Sequence, residues 1–111
     1  MQEGDVVLAP VPLAFGTVKN RPVVILRELP PFRDVLVCGI STQLQQEVVG
    51  FDETITQADG DFSSSGLTAE SLIRLGYLAV LPRAAILGSI GFISTDRHRR
   101  LLQTLSDYLI E

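Results

Sequence analysis

A small, strongly bent and mostly antiparallel β-sheet followed by one terminal helix is the architecture this sequence predicts. Two observations carry the prediction. Short runs rich in Val, Ile and Leu recur between clusters of Pro, Gly, Asn and Asp, the pattern of strands joined by tight connections. Apolar residues at helical spacing occur only at the C-terminal end, where Leu101, Leu102, Leu105, Tyr108 and Leu109 form one stripe. The 111 residues suffice for one domain, residues 1–111, with an ordinary core and no need of disulfides or metal.

The first strand is expected over residues 4–9, from Gly4-Asp5 to Ala9, with Pro10 and Pro12 ending it. The loop from Val11 to Asn20 carries Phe15, either a cap on the core or a platform for a stacked base, and Gly16, which gives it backbone freedom. The second strand is expected over residues 22–27. Pro22 takes its first position because it cannot donate to a ladder, and the run Val23-Val24-Ile25-Leu26 is buried. Arg21 then stands at a rigid strand mouth, beside Lys19 and Asn20. A guanidinium there is suited to gripping a phosphate or carboxylate, but a solvated arginine in a hairpin loop gives the same local sequence.

After the turn at Leu29-Pro30-Pro31, a third strand from Asp34 to Ile40 is apolar on both faces and delivers Ser41 and Thr42 to its end. Those hydroxyls either satisfy nearby backbone groups or hydrogen-bond a phosphate. Phe51 to Ile55 alternates as a half-exposed fourth strand, and Asp59-Gly60-Asp61 with Ser63 to Gly66 marks a mobile, solvated loop without the spacing of a calcium loop. A fifth strand runs from Leu72 to Leu81 and stops at Pro82. A turn at Arg83-Ala84-Ala85 leads into a last strand from Ile86 to Ile93, in which Gly88 and Gly91 permit tight bending. Ser94 or Thr95 caps the helix and Asp96 complements its dipole.

Several functions are excluded or narrowed by composition. The apolar runs are too short to cross a bilayer and the N-terminus is acidic, so the expectation is a soluble, cytoplasmic protein with no membrane association. Cys38, the only cysteine, sits among apolar residues and is expected to be an inert core residue; no disulfide or cysteine-rich metal site can form. His98, the only histidine, is expected on the terminal helix, facing solvent or a partner, and no metal or cofactor site is predicted. A net charge of −4 argues against coating duplex nucleic acid, while leaving room for a small basic cleft built from Lys19, Arg21 and Arg74.

Five pieces, in order, resemble the MazF/PemK family of toxin endoribonucleases: Gly4-Asp5-Val6-Val7; Lys19-Asn20-Arg21-Pro22-Val23-Val24; Ile40-Ser41-Thr42-Gln43; Asp61-Phe62 with Ser65-Gly66-Leu67; and Ser71-Leu72-Ile73-Arg74-Leu75. The tail Leu81-Pro82-Arg83, Ile86-Leu87-Gly88 and Ile90-Gly91 resembles the family's last strand. The resemblance covers nearly the whole chain. It implies a small SH3-like β-barrel with a C-terminal helix, a homodimer binding single-stranded RNA across its groove, metal-independent RNA cleavage, and a cognate antitoxin that blocks the groove. By position it implies catalytic roles for Arg21, Ser41, Thr42 and Arg74; Lys19, Asn20, Phe15 and Gln43 are expected to bind the substrate. A preorganised guanidinium with hydroxyl donors would stabilise the charge that builds on phosphate oxygens during attack by a ribose 2′-hydroxyl.

The acids and bases of the family are not all matched. No acidic residue occurs in residues 14–20, and Gly76 stands where some members carry an aspartate two positions after the later arginine. The alternative is therefore a catalytically silent module that binds RNA or an antitoxin. A gyrase poison of the CcdB type, built on the same fold, would need a C-terminal Trp-Gly-Ile, whereas this chain ends Leu109-Ile110-Glu111 and has no tryptophan.

Overall fold

The computed structural model describes residues 1–12 and 16–111. Six strands form one antiparallel sheet in the order β4-β5-β3-β2-β1-β6: β1 is Asp5–Pro12, β2 Val18–Leu29, β3 Asp34–Ser41, β4 Glu53–Ile55, β5 Ser71–Leu81 and β6 Gly88–Phe92. A four-residue helix α1, Phe62–Ser65, precedes β5, and α2, Thr95–Leu109, closes the chain. Single 3₁₀ turns occupy Leu44–Gln46 and Arg83–Ala85. The expected mainly-β class with a terminal helix is what the chain adopts.

The first two strands are longer than expected, and the prolines explain how. Leu8 lies opposite Pro22 and turns its carbonyl away from β2, where it accepts from the Leu87 N–H at 2.8 Å. Residues along an antiparallel strand alternate between facing the partner and facing away. Pro10, opposite Asn20, and Pro12, opposite Val18, share the outward setting of Leu8, so their missing N–H groups leave no gap in the β1–β2 ladder. Pro22 is likewise inside β2 rather than at its start. Its free flank is the side where β3 would lie, and β3 begins to pair with β2 only at Val23.

Alternation divides the apolar residues between two faces. Val6, Val24, Leu26, Cys38, Ile40, Ile73 and Leu75 pack beneath α2 with Leu101, Leu105 and Ile93. On the opposite face Val7, Ala9, Val11, Val23, Ile25, Val35 and Val37 form a second core, which the curl of the sheet closes. Only the first half of the helical stripe belongs to the core: Leu101 and Leu105 are buried, whereas Tyr108 and Leu109 are exposed. Ser94 caps α2 by accepting from the Arg97 N–H at 3.1 Å.

The acidic and serine-rich stretch is not a solvated loop. Asp61 is buried and accepts from Arg97 Nε at 2.8 Å and from the Ser94 N–H at 3.0 Å. Arg97, also buried, donates further to Glu53 at 2.9 Å and to the Thr54 carbonyl at 3.3 Å, which ties α2 to β4. Burial pushes the Asp61 carboxyl up, but the Arg97 guanidinium and the Ser94 amide outweigh it and hold it below the usual aspartate range. The spacing of acids and serines suggested exposure because their partner lies 36 residues away.

Beside this network the backbones of α1 and β6 touch. A Cβ at Gly66, where φ is +74°, would lie 2.1 Å from the Ile90 carbonyl oxygen, and one at Gly91 would lie 2.2 Å from that of Ser64. Gly91 therefore serves close approach rather than bending. His98 faces neither bulk solvent nor a free surface: it is half-buried, with Nε2 2.8 Å from the Leu26 carbonyl oxygen, an acceptor that calls for the Nε2–H tautomer.

Candidate functional site

A groove opens where β2 and β3 part. Val23 pairs with Gly39, but the N-terminal half of β2 continues along β1, while Ile40 and Ser41 continue along β5 opposite Ile73 and Leu72. The gap holds about 760 Å³ and is lined by Arg21, Pro22 and Val23 from β2, Gly39 and Ser41 from β3, Arg74 and Tyr77 from β5, Val11, and Gln43 and Gln46 of the following turn.

Face alternation brings these side chains together. Val23, Gly39 and Arg74 form one cross-strand row, and directly paired residues share a face. Arg21 lies two residues before Val23 and Ser41 two after Gly39, so both fall on that same face, as does Lys19. Strands spaced about 4.8 Å apart put β2 and β5 about 10 Å apart across this row, a span two arginine side chains reach across from either wall.

Tyr77 joins the row through a break in register. Cys38 pairs with Leu78 but the next residue, Gly39, pairs with Arg74, so Leu75, Gly76 and Tyr77 are inserted into β5. In a regular strand, residues 74 and 77 would point to opposite faces. The insertion turns both into the groove, as bulges beside functional sites commonly do. Asp52 secures it: this buried carboxylate accepts the Leu75 N–H at 3.0 Å and the Val48 N–H at 3.0 Å.

The groove is electropositive although the chain is acidic. Arg27, Arg33, Arg83, Arg97 and Arg100 each face a carboxylate elsewhere on the molecule. Among the described residues no carboxylate pairs with Lys19, Arg21 or Arg74, and no carboxylate or imidazole lines the groove. Guanidinium, hydroxyl and amide donors suit an anion such as phosphate. Ser41 does the local work expected of it, since its Oγ accepts the Gln43 N–H at 3.0 Å, and this leaves the hydroxyl proton to donate.

The predicted site residues are thus partly gathered. Arg21, Ser41, Gln43 and Arg74 line one groove. Lys19, Asn20 and Thr42 are exposed at its margins but outside the lining. Phe15 lies outside the described residues. Sequence reasoning missed Tyr77, Gln46 and the supporting Asp52, because the break in β5 that gathers them shows only in its pairing with β3. Cys38 is the core residue expected, fully buried, its thiol pushed up to about 12 by burial and by the nearby Asp52 charge.

Comparison with known proteins agrees with this geometry. The Mycobacterium tuberculosis toxin MazF-mt6 matches the fold with a TM-score of 0.70 at 19% identity, over 96% of this chain and 96% of that one. Comparison with curated protein sequences finds no significant match. Residues 2–109 match the sequence profile of the PemK-like, MazF-like toxins of type II toxin–antitoxin systems. A profile spanning nearly the whole length, on a chain with the MazF toxin fold, places this protein in the PemK/MazF-like type II toxin family.

Proposed function

We propose that the chain is a metal-independent endoribonuclease that cleaves single-stranded RNA in the cytoplasm as the toxin of a toxin–antitoxin pair. The observation that supports this reading most is the convergence of Arg21, Arg74 and Ser41 on one groove in which no described carboxylate neutralises the cations. In the cleavage, a ribose 2′-oxygen bonds to its adjacent phosphorus and the 5′-oxygen leaves, so negative charge grows on the non-bridging oxygens. Arg21, on the β2 wall, and Arg74, on the β5 wall, grip those oxygens from two sides while the Ser41 hydroxyl donates at the groove floor. Removing one such donor typically lowers the rate 10²- to 10³-fold. Lys19, Asn20, Thr42 and Gln43 hold the flanking nucleotides.

The family implies an antitoxin partner, and we further infer a homodimer. Tyr108 and Leu109 of α2 are exposed beside Val48 and Val49, with the Phe51 and Tyr108 rings 5.0 Å apart at their centroids, an apolar surface suited to a second copy. The lack of a carboxylate or imidazole among the described groove residues favours one second reading, a silent RNA-binding module. Incubating the purified protein with a long single-stranded RNA in EDTA separates the two. Cleavage that persists in EDTA and is lost in Arg21→Ala supports the nuclease; intact RNA that still binds the protein supports the module.

A further inference from the structure

The reaction proposed above needs a proton for the departing 5′-oxygen, and the groove offers few sources. A guanidinium holds its protons too firmly, an amide does not titrate, and an aliphatic hydroxyl is a poor acid. His98 is bound to the Leu26 carbonyl among the residues beneath α2, on the far face of the sheet. Asp52 is buried under the β5 insertion with both oxygens engaged by backbone N–H groups. Of the described lining residues, the remaining group with a proton to give is the phenol of Tyr77.

Its placement is built rather than incidental. The three-residue insertion puts Tyr77 on the face of Arg74, and Gly39 leaves room for the ring: a Cβ at position 39 would lie 3.1 Å from Tyr77 Cδ1 and 3.4 Å from its Cβ. The ring is gripped at its root between Gly39 and the second core. Among the described residues its hydroxyl has no hydrogen-bond partner and no buried side-chain oxygen is left without one, and Tyr77 itself lines the groove.

We propose that Tyr77 is the general acid of this groove. The inference rests on the nuclease reading. As the 2′-oxygen bonds to phosphorus, its proton passes to water; as the P–O5′ bond breaks, the Tyr77 hydroxyl gives its proton to the 5′-oxygen. The products are a 2′,3′-cyclic phosphate and a 5′-hydroxyl, and water returns a proton to the tyrosinate afterwards. No oxidant, metal or net water is consumed. Arg74, on the same wall, stabilises the transient phenolate as well as the phosphate charge.

Tyr77→Phe removes the proton and keeps the ring. Single-turnover cleavage of an RNA oligonucleotide bearing the mapped site is expected to fall on the order of 10²-fold, within the range general acids contribute. Affinity for the uncleavable oligonucleotide with a 2′-deoxy at that site should stay within about threefold. The decisive arm uses the same oligonucleotide with sulfur in place of the bridging 5′-oxygen, a leaving group that needs no proton: Tyr77→Phe should cleave it at close to the wild-type rate. Wild-type cleavage of the oxygen substrate by Tyr77→Phe, with loss only in Tyr77→Ala, would make the ring a stacking platform and overturn the proposal. A loss in Tyr77→Phe that the sulfur substrate fails to restore would overturn it too. A wild-type protein that cuts no RNA overturns the nuclease reading itself, which these arms keep distinct from an error about Tyr77 alone.

Discussion

Asp52 makes no contact with the groove, yet its truncation should damage the site. In Asp52→Ala the Leu75 N–H, inside the β5 insertion, loses its acceptor in a buried setting, which costs about 1–3 kcal/mol. The Val48 N–H loses its acceptor as well, but Val48 is 56% exposed and water can replace the carboxylate there. A net loss of about 2 kcal/mol follows, to be compared with the 5–15 kcal/mol that a domain typically has. At roughly 4 °C per kcal/mol for a chain of this size, the melting temperature should fall by about 8 °C.

The functional loss should exceed the loss of stability. At 25 °C a variant with several kcal/mol in reserve stays almost wholly folded, but the insertion that turns Arg74 and Tyr77 into the groove is no longer fixed. Displacing catalytic groups by about 1 Å can cost on the order of 10²-fold in rate. Asp52→Asn separates the two effects, because its side-chain oxygen can still accept from Leu75 while the amide turns towards the exposed Val48. Urea unfolding and single-turnover RNA cleavage on both variants give the comparison. Wild-type cleavage by Asp52→Ala, or equal damage in Asp52→Asn, would refute the claim that this carboxylate holds the insertion in register.

Four further outcomes follow from the same structure. Arg97→Met leaves Asp61 buried without its guanidinium and should cost about 3–5 kcal/mol in urea unfolding, while RNA affinity, which we assign to the groove on the other face, should stay unchanged. Because the folded Asp61 carboxyl is held below its ordinary value, its contribution is present above the unfolded pKa and is lost as pH falls through the folded one; melting scans should show stability dropping below about pH 4, a slope that Arg97→Met flattens. Cys38, buried and with its thiol at about 12, should react with a thiol reagent at pH 8 only at the rate of global unfolding; rapid labelling of the native protein would contradict its burial. Three phosphate contacts by Lys19, Arg21 and Arg74 should give log K against log salt a slope of about −2 for single-stranded RNA, and a flat plot would contradict the basic groove.

What was legible in the sequence was whatever local chemistry decides. The apolar runs and their breakers located six strands and the helix, and Ser94 and Asp96 marked the start of α2. Prolines misled where a strand has one unpaired flank: Pro10 and Pro22 each read as a boundary, and each sits inside a strand with its missing donor turned outward, whereas Pro12 does end β1. The acid-rich stretch misled for the opposite reason. Asp61 looks solvated until Arg97, far along the chain, is brought against it.

The groove shows the same limit at the level of function. Arg21, Ser41 and Arg74 are visible as residue types, but whether they meet depends on parity, and parity depends on register. Had β5 run without its insertion, Arg74 and Tyr77 would face opposite sides of the sheet, and one of them would lie beneath α2. The insertion in turn depends on a carboxylate placed 23 residues earlier in the chain, at the edge of β4. A break of three residues in one ladder thus decides which side chains share solvent with a substrate, and no window of sequence around either arginine contains that information.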